Sequence, residues 1–470
     1  MPNEKLDASQ KALQINLDAK KYGAFAEIGA GQEVARWFFH VGGAAGTVAK
    51  TISAYDMAVS DAIYGPCERY VSRQRLQAML DYEYRRLLER LDKSRGDKST
   101  FFVFADTVAT HSFTRHEEGH GWLGVRFQTQ PREQPSEIII HVKLLDRENV
   151  CEQEALGIIG VNLIHGAFYH HGEPARLITA LKDGLSEGRV EVDMIKFSGP
   201  GFAGVDNRVM ALQLVEQWLT EAAMFTAEGE TVIPGEVLYK KPVLVERGSF
   251  RPLTNLMLDM LERAQEQFMR EPVLEGEAPV VLLEMTLRQL QSGGGIDHRD
   301  FLDRVDTLRA LGRTVLISNF FRYHRLVTYL SRHTQKMIGL PLGITRLRDV
   351  LDEKFYNTLE GGLLESLGQL FKNGAKLYVY PALDRDTGTI TTAESLQVAP
   401  HLRHLYAHLL ENHCVESIRD FKPDLLTIYP KDVLDKIQGG DPAWEKLVPP
   451  PIVEAIKRKR LFGYRECRPG

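Results

Sequence analysis

The chain has 470 residues, 43% of them hydrophobic and 26% charged, with a formal net charge of −5. That length suits two or three domains with large cores, and the composition is that of an ordinary soluble globular protein. The net negative charge excludes a general nucleic-acid binder, which needs excess positive charge to release counterions from phosphate chains.

The four cysteines, Cys67, Cys151, Cys414 and Cys467, include no CxxC pair, so neither a disulfide framework nor a zinc ribbon is expected. The first residues carry no apolar signal core, and no stretch reaches the ~18–20 apolar residues that span a bilayer. A cytoplasmic address without a membrane partner is the expectation.

In chain order, residues 1–22 are polar and read as a leading helix or a loose arm. Residues 23–91 read as mostly helical after a glycine-rich opening. Between Tyr70 and Leu91, the spacing of Leu76, Met79, Leu80, Leu87 and Leu88 predicts an amphipathic helix. The opening, Gly23 to Glu33, is a glycine turn entering the apolar run Val34 to Phe39. Its Gly29-x-Gly31 lacks the third glycine and the strand–helix unit of a dinucleotide fingerprint. The run Gly42-Gly43-Ala44-Ala45-Gly46-Thr47 with Lys50-Thr51 resembles a phosphate loop only loosely, because Val48-Ala49 stand where its final glycine belongs. These glycines are expected to serve close helix packing or subunit contact, so self-assembly as a homo-oligomer is a candidate role.

A β-rich section follows, with strands at Phe101–Ala105, Trp122–Gln128 and Ile138–Leu145, the last two forming an antiparallel pair. His116-Glu117-Glu118-Gly119-His120 has the letters of H-E-x-x-H, but two glycines and an ensuing strand argue for a loop rather than a zinc-binding helix. A metal held by His111, His116 or His120 with Asp106 stays open, and would make the protein a metal-dependent hydrolase. Residues 152–171 and 174–187 suit helices. Arg189–Phe197 reads as a strand carrying Asp193 and Lys196 towards a glycine-proline loop.

From residue 206 onward strand and helix alternate. Strands are expected near 222–225, 237–246, 280–285, 314–318, 336–340 and 375–380. Helices are expected at 206–220, 253–270, 297–311, 322–333, 345–371 and 394–412. This alternation predicts an α/β fold with a mostly parallel, doubly wound sheet in the C-terminal half, a barrel being the alternative, and a mixed α+β N-terminal region. The expected segments are 1–92, 93–200, 201–448 and a basic tail, 449–470, beyond Pro449-Pro450-Pro451.

The most informative stretch is 242–266. Val243 to Val245 ends in a Gly-Ser-Phe-Arg-Pro turn, and a helix opens at Thr254-Asn255. Strand, glycine turn and helix N-terminus together make a phosphate cradle, bracketed by Lys240, Lys241, Arg247 and Arg251. Gly248, Phe250, Pro252 and Thr254 follow the order and spacing of G-x-F-x-P-x-[HT]-x-G-H, and over about 25 residues the segment resembles the adenylyl- and cytidylyltransferase superfamily. The final Gly-His of that signature is Leu256-Met257 here.

The resemblance implies adenylyl transfer from ATP, with Mg²⁺, to a phosphate-bearing acceptor such as a mononucleotide. It implies Arg251 and Thr254 as catalytic residues. Gly248, Ser249, Phe250, Arg247, Lys240 and Lys241 would bind the nucleotide, with no protein-held metal. Loss of the signature histidine leaves a non-catalytic nucleotide-binding or structural protein as the alternative.

Overall fold

The computed structural model describes residues 6–111, 118–292 and 294–466. The chain forms two compact units, divided between Glu221 and Ala222.

The N-terminal unit runs α1 (Ala8–Asn16), β1 (Lys21–Ile28), α2 (Glu33–His40), β2 (Val48–Ile52), α3 (Met57–Tyr64), α4 (Arg73–Arg95), β3 (Thr100–Ala109), β4 (Gly119–Phe127), β5 (Ser136–Leu144), α5 (Asn149–Tyr169), α6 (Pro174–Ala180), β6 (Val190–Ser198) and α7 (Asn207–Glu216). One six-stranded sheet, β2-β1-β3-β4-β5-β6, holds it together. Strands β2, β1 and β3 are parallel and the rest antiparallel, which is the mixed α+β region expected.

Residues 23–91 differ from their mostly helical expectation, because they contain β1 and β2. Strand β1 is paired on both sides and buried from Gly23 to Ile28, so its sequence shows no alternation to betray it. Strands β1 and β3 also join residues 1–92 and 93–200 in one sheet. Helix α4 starts at Ser72, whose hydroxyl accepts from the Arg75 N–H, and buries Leu76, Met79, Leu80 and Leu87. Gly124 of β4 lies beneath it, where an added Cβ would come within 2.9 Å of Leu80.

The C-terminal unit runs β7 (Ala222–Phe225), β8 (Thr231–Val232), α8 (Pro234–Val237), β9 (Val243–Arg247), α9 (Asn255–Phe268), β10 (Val280–Thr286), α10 (Leu287–Leu290), a small hairpin β11 (Gln291–Ser292) and β12 (Gly295–Ile296), α11 (His298–Ala310), β13 (Thr314–Ser318), α12 (Tyr323–Leu330), β14 (Ile338–Gly343), α13 (Ile344–Val350), α14 (Gly362–Leu370), β15 (Lys376–Tyr380), a second hairpin β16 (Ala382–Leu383) and β17 (Ile390–Thr391), α15 (Arg403–Glu411), β18 (Val415–Ser417), α16 (Pro430–Gly439) and α17 (Pro450–Lys459).

Its main sheet has the order β18-β15-β14-β9-β10-β13-β7-β8. The six strands from β18 to β13 are all parallel, and β7 and β8 add an antiparallel edge. Numbered along the chain, the parallel strands read 3-2-1-4-5-6, the order of the doubly wound dinucleotide-binding fold. The sheet is open, so the barrel alternative does not apply. Direction reverses between β9 and β14, and the right-handed crossovers expected between parallel strands would place helices on both faces. Val243, Leu244 and Val245 of β9 are fully buried, as a central parallel strand requires.

The tail also differs from expectation. Pro450 and Pro451 open α17, where a missing N–H costs nothing. Ile452, Ala455 and Ile456 of that helix are buried, and Lys459 pairs with Asp306 of α11 at 2.8 Å.

Candidate functional site

The turn after β9 is tied down by the chain itself. The Gly248 N–H donates to the Glu284 carbonyl at 3.1 Å. Phe250, at φ 46°, is fully buried and folds back over Gly248, where an added Cβ would lie 2.7 Å from its ring. Glycine is therefore required there by a side chain of the same turn. The Ser249 carbonyl accepts from Arg304 Nη1 at 3.1 Å, and that guanidinium also reaches the Gln289 carbonyl at 2.8 Å. Asp300 pairs with both Arg304 and Arg251, each at 2.5 Å, so α11 holds the turn from one side.

The α9 N-terminus, expected to face phosphate, is met by protein. The Asn255 N–H donates to the Leu447 carbonyl at 2.9 Å, and its side-chain amide donates to the Lys446 carbonyl at 2.9 Å. Thr254 is the N-cap, fully buried, with its Oγ1 lacking a hydrogen-bond partner.

Lys240 and Lys241 are a correction. They precede β9, whereas the Gly248 turn follows it. A five-residue strand separates its ends by about 16 Å. Lys241 instead pairs with Glu277 at 3.3 Å, and Lys240 lies over the Tyr239 ring. Neither brackets the turn.

Arg247 is where the expected site meets a real cavity. It ends β9 with a two-pronged bond to Glu284, at 2.7 and 2.9 Å, and both side chains are nearly inaccessible. Burial of the guanidinium opposes its charge, while Glu284 more than restores it and holds its pKa above the ordinary value. Ser318 at the end of β13 donates to the same carboxylate at 2.5 Å. Beside this cluster opens a cavity of about 420 Å³ at the carboxyl ends of β9, β10, β13 and β14. Its walls include Arg247, Arg288, Arg322, Arg346 and the rings of Phe321 and Phe355. Arg322 lies over Phe355, 3.8 Å from the ring centre, and further from the Tyr356 ring, and Arg346 pairs with Asp349 at 3.0 Å. Arg288 and Arg346 stand in no motif of the sequence. The available signal was their common position, just past the end of a parallel strand.

In the N-terminal unit Asp106 and His120, both expected around a metal, are not brought together. Asp106 opposes Leu123 across the β3–β4 ladder, and His120 opposes Ala109. With side chains alternating along a strand, the two point to opposite faces of the sheet. His116 lies outside the described residues, and among the described residues no group of three or more His, Cys, Asp or Glu is arranged to hold a metal. His120 instead meets His141 at 3.3 Å, and His141 is held by Asp193 at 2.6 Å.

The glycine-rich opening differs from expectation as well: Gly29-x-Gly31 does join a strand, β1, to a helix, α2. The acceptor at that helix start is Glu27, which takes the N–H groups of Val34 and Ala35, each at 2.9 Å. A Cβ on Gly29 would lie 1.8 Å from the Val108 carbonyl, so what it approaches is chain. The Gly42–Thr47 run leads into strand β2 rather than a helix, and Lys50 is bonded to Glu83. It forms no phosphate loop.

No protein-family model matches the chain, and no curated protein matches it. Solved structures of the competence/damage-inducible CinA group align with about a third of it. They include the competence/damage-inducible protein CihA of Agrobacterium tumefaciens (17% identity over 35% of this chain and 97% of that one, TM-score 0.26). A CinA superfamily protein of Klebsiella pneumoniae gives 10% identity over 35% and 96%, with a TM-score of 0.27. One from Escherichia coli gives 13% over 34% and 87%, with a TM-score of 0.25. Scores this low carry no argument about function.

Proposed function

We propose that the C-terminal unit is a nucleotide-binding enzyme. In this reading it transfers an adenylyl group from ATP to a phosphate-bearing acceptor in the arginine-lined cavity. The observation that carries the reading is the convergence of four guanidinium groups and two aromatic rings beyond the carboxyl ends of β9, β10, β13 and β14. Open α/β sheets bind ligands outside those ends, where the strand order reverses. Guanidinium forks match phosphate oxygens, and aromatic faces accept a base.

In the transfer an acceptor phosphate oxygen attacks the α-phosphorus of ATP. The bond to the β-phosphate oxygen breaks, and pyrophosphate leaves. Such chemistry needs in-line positioning and neutralisation of charge more than covalent help. Arg247 and Arg346 flank the reversal and would hold the polyphosphate, with Mg²⁺ arriving as its counterion. Glu284 is engaged by Arg247 and Ser318, which leaves it a poor metal ligand. Arg251 is held by Asp300 and Thr254 is the α9 N-cap, and neither lines the cavity.

A second reading, nucleotide binding without transfer, is favoured by Met257 in the signature's histidine position and by the Leu447 carbonyl on the α9 N-terminus. The two readings are separated by experiment. Thermal unfolding with Mg²⁺-ATP is expected to show a rise of a couple of degrees, since a ligand at about a hundred times its dissociation constant adds ~2.7 kcal/mol. Arg247→Met/Glu284→Leu should abolish the rise. Pyrophosphate release with a mononucleotide present marks transfer, and binding without release marks the second reading. No shift with any nucleotide rejects both.

A further inference from the structure

One wall of the cavity is fastened differently from the others. Residues 351–361 join α13 to α14 with a single short 3-10 turn, Glu353–Phe355. The backbone bonds inside the stretch are local: the Phe355 N–H donates to the Asp352 carbonyl at 3.1 Å, Tyr356 to Glu353 at 3.0 Å and Leu359 to Tyr356 at 2.9 Å. Among the described residues, no backbone bond ties the stretch to a strand of the sheet. Side chains hold it instead. Tyr356 is buried with its hydroxyl on the Val350 carbonyl at 3.0 Å, His401 meets Glu353 at 2.7 Å, and half-buried Phe355 lies under Arg322. The stretch ends at Gly361-Gly362, where Gly362 takes a φ of 53° that glycine adopts without strain.

The contact with Arg322 crosses the cavity. Arg322, Phe355 and Tyr356 all line it, and the guanidinium lies 3.8 Å from the Phe355 ring centre and 5.9 Å from that of Tyr356. Burial lowers the Arg322 pKa, with Arg288 adding to the fall, while Tyr356, Asp349 and Asp352 oppose it. Arg322 comes just after β13, and Phe355 comes after β14. In the order β14-β9-β10-β13 those two strands stand three spacings apart, about 14 Å. The contact therefore spans the positions of β9 and β10, and Arg247, Thr286 and Arg288, which end or follow those two strands, line the same cavity. A single cation–ring contact joins its two sides.

We propose that residues 351–361 form a strap that closes over the bound ligand, with Arg322 on Phe355 as its latch. This rests on the nucleotide reading of the cavity. A guanidinium can stack by its face and donate from its edge at the same time. An anion that takes the Arg322 edge fixes the side chain under which the ring sits, so ligand and strap hold one another. The coupling is reciprocal, and loosening the latch weakens the hold on the ligand by the same factor. A closed strap also keeps water from the phosphates.

Hydrogen–deuterium exchange of the full chain, read by mass spectrometry, tests the latch, with Mg²⁺-ATP as the probe. Without ligand, Phe355→Leu keeps apolar bulk but no ring. It is expected to speed exchange in 352–361 about tenfold and to leave β9, β10, β13 and β14 unchanged. Mg²⁺-ATP should slow exchange in that stretch about tenfold in the unaltered chain, and not in Phe355→Leu. Stopped-flow displacement should show Mg²⁺-ATP leaving Phe355→Leu about tenfold faster. Phe355→Tyr keeps the ring and should match the unaltered chain in all three measurements.

Equal slowing by Mg²⁺-ATP in Phe355→Leu and the unaltered chain would overturn the strap and leave the nucleotide reading in place. So would ligand-free exchange that Phe355→Leu does not alter, or equal rates of ATP release. No binding of Mg²⁺-ATP to any form would reject the nucleotide reading, and the closure with it.

Discussion

Glu284 has no exposed surface and serves three partners, so its loss should be felt well beyond one bond. Replacing it with alanine leaves the Arg247 guanidinium buried without a counter-charge, and Ser318 Oγ without its acceptor. Breaking a buried pair from one side costs about 3–5 kcal/mol, whereas replacing both members with apolar groups costs far less. Denaturant unfolding of Glu284→Ala should show the larger loss, with Arg247→Met/Glu284→Leu recovering most of it. A second buried pair predicts a pH effect. Asp106 and Glu27 are neighbours across β1 and β3, and burial and then mutual repulsion raise the Asp106 carboxyl well above its ordinary range. Burial raises Glu27 too, against the pull of the α2 N–H groups. A raised folded pKa means that the folded form binds more protons than the unfolded one. Its stabilising contribution is complete below the unfolded carboxylate pKa and is lost as pH rises through the folded value. Stability should therefore fall between about pH 5 and about pH 8, and Asp106→Asn should flatten the fall, as measured by urea midpoints at the two pH values.

At the level of elements, α9 shows what residue order can and cannot disclose. Leu258 and Leu261 mark the helix, and the strand, turn and helix of 242–266 were legible because apolar runs and a Gly-to-Pro turn are local signals. The partners of the turn were not, because Glu284, Arg304 and Leu447 come from distant parts of the chain. Asn255→Ala removes the side-chain bond to Lys446 and is expected to cost about 1 kcal/mol. Helix α17 was hidden for a different reason: three prolines followed by basic residues look like a chain leaving its fold. Pro450 in fact starts a helix, whose charges face outward from buried Ile452 and Ile456. Ile456→Ala should cost about 2–5 kcal/mol in chemical unfolding; an exposed tail would show no change. The parallel sheet was expected from the alternation of strand and helix. Its order, and so the meeting of Arg247, Arg288, Arg322 and Arg346, could not be, since alternation fixes neither neighbour nor register.

For the whole molecule, the two main sheets lie in two compact units, and every residue of the proposed nucleotide site belongs to the second. A fragment from Ala222 onward is expected to bind Mg²⁺-ATP within about threefold of the full chain, measured by calorimetry. A much larger loss would mean that the first unit contributes to the site. The strand order has a further consequence during synthesis. β9 lies at the centre of the finished sheet, yet its second neighbour, β14, joins it only when Ile338 meets Val243. Until the ribosome has made that later strand, the apolar run Val243, Leu244 and Val245 lacks the neighbour that covers one of its edges in the finished sheet. Such an edge is a template for any passing strand, including that of another nascent copy. The strand order that builds the cavity therefore also leaves this edge without its partner until the fourth parallel strand has been made.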